Sequence, residues 1–159
     1  MKINHSFRKF VPAVAALFCV TAALAGKVDS IYKDGSGAAI RGYDPVAYFT
    51  DKRPIVGDSQ YQHEWDGAIY RFASAKHLEL FKADPDRYLP QYHNWCAASV
   101  AKGEKVRPNP ENWLVVDGRL YLFGKSIGPD LMKADPVAMK READKNWPTV
   151  SRLPDPPRQ

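Results

Sequence analysis

The sequence predicts an α+β fold: a small antiparallel sheet built from two hairpins, with helices packed on it. Two observations carry this. Asp66-Gly67 and Asp117-Gly118 each lie between strand-forming runs, and Asp-Gly is favoured in two-residue turns whose central residues need positive φ. Asp44-Pro45, Asp84-Pro85 and Asp135-Pro136 each pair a helix-capping side chain with a proline suited to the first helical position. Hairpins alternating with helices in this order give a sheet covered on one face.

Taken in order, Asp44 and Pro45 open a short helical turn over Val46, Ala47, Tyr48 and Phe49, and Pro54 to Gly57 breaks the chain. Tyr61–Trp65 and Ala68–Phe72 form the first hairpin, with Tyr61, His63 and Trp65 sharing one face by the two-residue period. Ser74 caps a helix that places Leu78 and Phe81 on one side with His77 next to them. Asp84-Pro85 begins another turn, with Tyr88 one turn on. Gln91–Ala101 reads as a single helix ended by Gly103, a residue suited to a left-handed C-cap. Trp113–Val116 and Arg119–Phe123 form the second hairpin. Ile127–Ala134 and Val137–Asn146 read as helices, and Trp147-Pro148 as the end of the last. No internal repeat stands out.

Residues 1–25 read as a signal peptide. Lys2, Arg8 and Lys9 precede the apolar run Val11–Val20, and Ala23-Leu24-Ala25 fits the small-x-small cleavage rule, so cleavage is expected before Gly26. The run is shorter than the roughly 20 residues of a membrane span, so no stable span is expected after cleavage. The product is expected to be periplasmic or secreted. Residues 26–39 read as a flexible lead-in, 40–150 as the domain and 151–159, rich in proline, as a disordered tail.

Cleavage also changes the charge. The chain carries 23 basic and 18 acidic residues, and the signal holds three of the basic ones and none of the acidic. The remaining net charge of +2 forms no basic stripe, which argues against a nucleic-acid partner. Four Trp, eight Tyr and seven Phe supply a large apolar area for one core. One thiol remains, Cys96, so no intramolecular disulfide can form.

The segments Asp44-Pro45-Val46, Phe72-x-Ser74, Phe81 and Pro85-x-x-Tyr88 together resemble the YHS domain family. Metal-type members have Cys where this chain has Ala47, Ala73 and His77. The likeness extends over about residues 38 to 150 toward an exported bacterial subgroup, through Cys96-Ala97, Val116-Asp117-Gly118 and Asn146-Trp147-Pro148. That subgroup has Gly at the position of His93 and Asn at that of His77. The resemblance implies association with heavy metals, such as copper, for the wider family.

The candidate metal set is Cys96, His93, His77 and His63. His93 and Cys96 are three apart on the expected helix, so they would share a face, and imidazole with thiolate suits copper or zinc. His77 would be the third ligand, since it fills a Cys position of the family, and His63 the fourth. The bland alternative makes Cys96 a small buried side chain and His93 a surface residue. The chain is then a metal-free structural, partner-binding or small-ligand-binding module. A thiol redox protein is a third reading; it requires an activated Cys96. A sulfur within reach of an imidazole favours metal, and a thiol buried among apolar side chains favours the metal-free module. Tyr43, Tyr48, Trp65, Tyr92, Trp95 and Trp113 either line a small-molecule pocket or build the core. Glu64 and Asp66 flank Trp65, but the turn accounts for Asp66 and strand exposure for Glu64. No phosphate loop, Ser-His-Asp set or Cys-x-x-Cys is present, and nothing in the sequence specifies a catalyst.

Overall fold

The computed structural model describes residues 31–157. The expected signal peptide, residues 26–30 of the lead-in and the last two residues of the tail lie outside the described residues. The fold is α+β. Strands β1 (Asp58–Trp65) and β2 (Ala68–Phe72) form one antiparallel pair, and β3 (Asn109–Val116) and β4 (Arg119–Phe123) form another. The two hairpins remain separate two-stranded sheets and do not merge into one. Among the described residues there are six α-helices: α1 (Ala47–Thr50), α2 (Ala75–Ala83), α3 (Pro85–Tyr88), α4 (Ala97–Val100), α5 (Gly128–Ala134) and α6 (Pro136–Val150). No helix among the described residues is long and apolar enough to cross a membrane.

The turn chemistry is as expected. Asp66 and Gly67 have φ of 47° and 76°, and Asp117 and Gly118 have 50° and 71°. The caps form too. Ser74 accepts from His77 N, Asp84 from Arg87 N and Asp135 from Ala138 N. Pro148 lies inside α6 and does not end it.

The chain is built from one frame used twice, across residues 38–88 and 90–139. Each copy opens with three successive left-handed residues, Ile40-Arg41-Gly42 (φ 53°, 52°, 79°) and Tyr92-His93-Asn94 (φ 55°, 49°, 70°). Each turn leads to a short helix, α1 or α4, and then to an eight-residue strand, an Asp-Gly turn and a five-residue strand. Both hairpins carry a register shift at the same place, between Asp58 and Gln62 and between Asn109 and Trp113. Parallel bridges tie Ala38 to Ile69 and Pro90 to Leu120. At an offset of 51 residues, Tyr70-x-Phe72 matches Tyr121-x-Phe123, and Leu80-x-Lys82-Ala83-Asp84-Pro85 matches Leu131-x-Lys133-Ala134-Asp135-Pro136. An internal repeat is therefore present after all. It is faint in the sequence because the short helices and left-handed turns shift by one residue relative to the hairpins, and because few side chains coincide outside the capping segments.

The expected helix over 91–101 is also corrected. The left-handed turn at Tyr92–Asn94 reverses the backbone, so α4 starts only after Cys96, which takes the N-cap position. Consecutive left-handed L-residues cost roughly 1–2 kcal/mol each, so tertiary contacts must hold the turn. Tyr32 N donates to His93 O at 3.0 Å, and Trp95, fully buried, packs on Tyr32 with ring centroids 5.2 Å apart. The glycine that the resemblance implies at position 93 suits this φ.

The same contacts correct the flexible lead-in over its described part. Ala39 N donates to Ile69 O, and Ile31, Tyr32, Ala38 and Ala39 are buried. The tail is held as well. Lys105 Nζ donates to Leu153 O and pairs with Asp155, both at 2.9 Å, and Arg107 donates to the carbonyls of Pro156 and Pro157. Prolines lack donors, but their carbonyls still accept.

Two apolar clusters form the core. Ile40, Val46, Tyr48, Tyr70, Phe72 and Phe81 belong to the first, and Trp95, Val100, Met132, Ala143 and Val150 to the second. Strand β4 joins them: Leu120 and Leu122 enter the first cluster, Tyr121 and Phe123 the second. The period of two puts alternate side chains on opposite faces, and both faces of this strand are covered.

Candidate functional site

A buried polar cluster forms around Asp44, at the positions where the resemblance implies thiols in metal-type proteins. Asp44 follows the first left-handed turn and is fully buried. Its Oδ1 accepts from Val46 N at 2.8 Å and Ala47 N at 3.3 Å. Its Oδ2 accepts from Ala73 N at 2.8 Å and lies 2.6 Å from His77 Nδ1. Positions 47, 73 and 77 therefore converge on one carboxylate, two through backbone N–H groups and one through an imidazole. A buried carboxylate is stable only when its lone pairs are satisfied, and here each oxygen is. The other ring nitrogen, His77 Nε2, faces Thr50 Oγ1 at 3.3 Å and Asp51 Oδ2 at 3.5 Å.

This donor set does not fit a thiolate centre for copper or zinc. Two of the three positions present methyl groups, and the third, His77, is engaged at both nitrogens. Sequence reasoning treated Asp44 only as a cap. The cap bonds exist, but the pairing with Ala73 and His77 spans about thirty residues and leaves no local signal.

The four candidate ligands are dispersed. Cys96 is buried at 4 % exposure in the second apolar cluster, where its sulfur accepts from Ser99 Oγ at 3.3 Å. His93 is exposed and packs edge-on to Trp147, ring centroids 5.1 Å apart, rather than sharing a helix face with Cys96. His63 lies on β1 against Trp65 and Phe81. His77 is in the Asp44 cluster. Among the described residues no group of three or more His, Cys, Asp or Glu side chains is arranged to hold a metal ion. The expectation of a joint Cys96, His93, His77 and His63 site is therefore corrected. It assumed a continuous helix through 93–96, and the left-handed turn separates those two residues.

Of the aromatic candidates, Tyr48, Tyr92 and Trp95 are core. Tyr48 donates to Pro110 O at 3.0 Å, and Tyr92 to Asp144 Oδ1 at 2.9 Å. Burial pushes the Tyr48 and Tyr70 hydroxyls well above the usual tyrosine range. Burial does the same for Tyr92, with Asp144 adding to the effect. Trp65 is different. It is 39 % exposed and forms the lip of a cavity of about 460 Å³ between the tip of the first hairpin and the second left-handed turn. Tyr70, Leu89 and Asn94 line its walls. Sequence reasoning missed Asn94 and Tyr70, and the only available signal for Asn94 was its tolerance of a left-handed backbone.

No curated protein and no solved structure matches the chain. A family model does match, over residues 46–92, which is most of the first copy of the frame and the start of the second turn. This chain carries a YHS domain.

Proposed function

We propose that this chain is an exported, non-catalytic binding protein in which the YHS frame serves as a metal-free scaffold for a small ligand or partner. One observation carries the reading. The three positions that hold thiols in metal-type relatives surround Asp44 and supply hydrogen bonds to it, so the carboxylate occupies the role of the frame's centre. Burial of Cys96 away from any group of ligands supports the same choice. Export rests on the basic and apolar segments of residues 1–25.

Metal titration with Cu(I) and Zn(II), followed by elemental analysis, tests the reading. The chain should retain no stoichiometric metal. The triple variant Ala47→Cys, Ala73→Cys, His77→Cys should retain one ion, because it restores the thiols that the resemblance implies at these three positions. One equivalent held by the unmodified chain, and lost in Cys96→Ser or His77→Ala, would sink the proposal.

A further inference from the structure

The tail rests on a groove whose floor is a buried cation. The Lys105 ammonium sits over the Trp95 ring, 4.6 Å from its centroid. It donates to Leu153 O and pairs with Asp155 Oδ1, both at 2.9 Å. Arg107, two residues on, donates to the carbonyls of Pro156 and Pro157. The two cations thus take one carboxylate and the two backbone carbonyls that follow it, in a stretch that Pro154 and Pro156 bias toward extended backbone. The partners of the ion pair differ in burial. The Lys105 side chain is 3 % exposed and that of Asp155 is 58 % exposed. The frame does not call for these cations. Asp44 N donates to Ile55 O in the first copy and Cys96 N to Val106 O in the second, so the equivalents of Lys105 and Arg107 are Pro54 and Val56.

The tail brings one acid to a lining that is basic on balance. It borders a cavity of about 970 Å³ that Lys33, Arg41 and Lys125 also line, and the only other acid in that lining is Asp34. Asp34 is committed to its own turn, where Oδ1 accepts from Ser36 N, Ser36 Oγ and Ala38 N, and Arg71 adds to the field upon it. Lys33 donates to Gly67 O at 2.9 Å. The acid near Arg41 outside the lining, Glu111, accepts from the Tyr43 hydroxyl at 2.8 Å. Arg41 and Lys125 are exposed, and among the described residues neither forms a salt bridge.

We propose that this groove docks an acidic, proline-containing extended segment of a partner protein, and that the chain's own tail is its resident occupant. A carboxylate of the segment takes Lys105, its following carbonyls take Arg107, and further acids meet Arg41 and Lys125. Prolines hold such a segment extended before it binds, which lowers the entropy lost on docking. The tethered tail competes at an effective concentration of order millimolar, so the partner gains the groove through the acids that the tail lacks. This inference rests on the partner-binding form of the reading above and names the partner's chemistry.

Fluorescence anisotropy of a labelled peptide that repeats Leu153–Pro157 and continues with a pair of glutamates tests it on the full chain. Asp155→Ala, at an exposed side chain, loosens the tail and should bind the peptide saturably, about tenfold more tightly than the unmodified chain does. The same peptide with Asn and Gln in place of its acids should bind that variant about tenfold more weakly. Adding Arg41→Gln and Lys125→Gln to Asp155→Ala should weaken the acidic peptide about fivefold. No saturable binding to Asp155→Ala, equal binding of the acidic and amide peptides, or binding indifferent to the paired Gln substitutions would each overturn the docking site. Self-association of the unmodified chain in sedimentation, lost in Asp155→Ala, would give the groove to the tail of a second copy and overturn the partner. Failure of the scaffold reading is seen separately, as metal uptake by the unmodified chain.

Discussion

The two copies of the frame share a backbone and differ at its centre. After the left-handed turn the first copy places Asp44, and the second places Cys96. Asp44 is matched by His77; the residue equivalent to His77 is Gly128, where a Cβ would come within 2.5 Å of Phe123. Carboxylate and imidazole are thus replaced together by thiol and glycine. The first copy ties its helix, hairpin and following helix through a polar knot, while the second does so by close apolar packing. The comparison teaches that the frame sets where the three elements meet and leaves open the chemistry that joins them.

The largest expected effect follows from breaking the knot. Asp44→Ala leaves Ala73 N and the His77 imidazole without their acceptor, and should cost about 3–5 kcal/mol in urea denaturation. Cys96→Ala removes one small buried atom and one weak hydrogen bond, and should cost about 1 kcal/mol. Equal losses would erase the proposed contrast between a polar and an apolar centre.

Alkaline pH probes both copies. Burial holds the Tyr48, Tyr70 and Tyr92 hydroxyls above the ordinary tyrosine value of about 10 in the folded chain. Above about pH 10 the unfolded chain loses these protons first while the folded chain keeps them. Fewer protons bound in the unfolded state mean that stability falls as pH rises. Denaturation midpoints should drop steadily above about pH 10, and less steeply in Tyr92→Phe. A flat profile across that window would contradict the burial of these hydroxyls.

The smallest effect sharpens the likeness between the copies. Asp135→Ala should cost about 1 kcal/mol, the usual value of a lost N-cap. Asp84→Ala should cost less, since its bond to Arg87 N is 3.3 Å against 2.9 Å at Asp135 and it starts a helix of only four residues. Thermal unfolding of the two variants checks the order.

Much of the local structure was legible. Asp66-Gly67 and Asp117-Gly118 named both hairpins, and Ser74, Asp84 and Asp135 named three helix starts, because a turn or cap depends on side chains a few residues apart. The candidate site was far less legible. His93 and Cys96 looked like neighbours on a helix because nothing in Gln91–Ala101 announces three residues with positive φ. Their conformation is imposed from outside, by Tyr32 N on His93 O and by Trp95 against the Tyr32 ring. Tyr32, in turn, belongs to a segment whose composition suggested only flexibility.

Taken alone, the amino-acid order determined the α+β class, the hairpins, the capped helices and the likeness to the YHS family, since each rests on short-range chemistry or a motif in one stretch of chain. Only the tertiary structure decided that residues 47, 73 and 77 meet on Asp44, that Cys96 is buried in the second apolar cluster, and that the Asn94 carboxamide oxygen is enclosed. Those outcomes depend on which distant segments pack together. Burial and hydrogen-bond satisfaction are properties of the assembled core, and no window of sequence contains them.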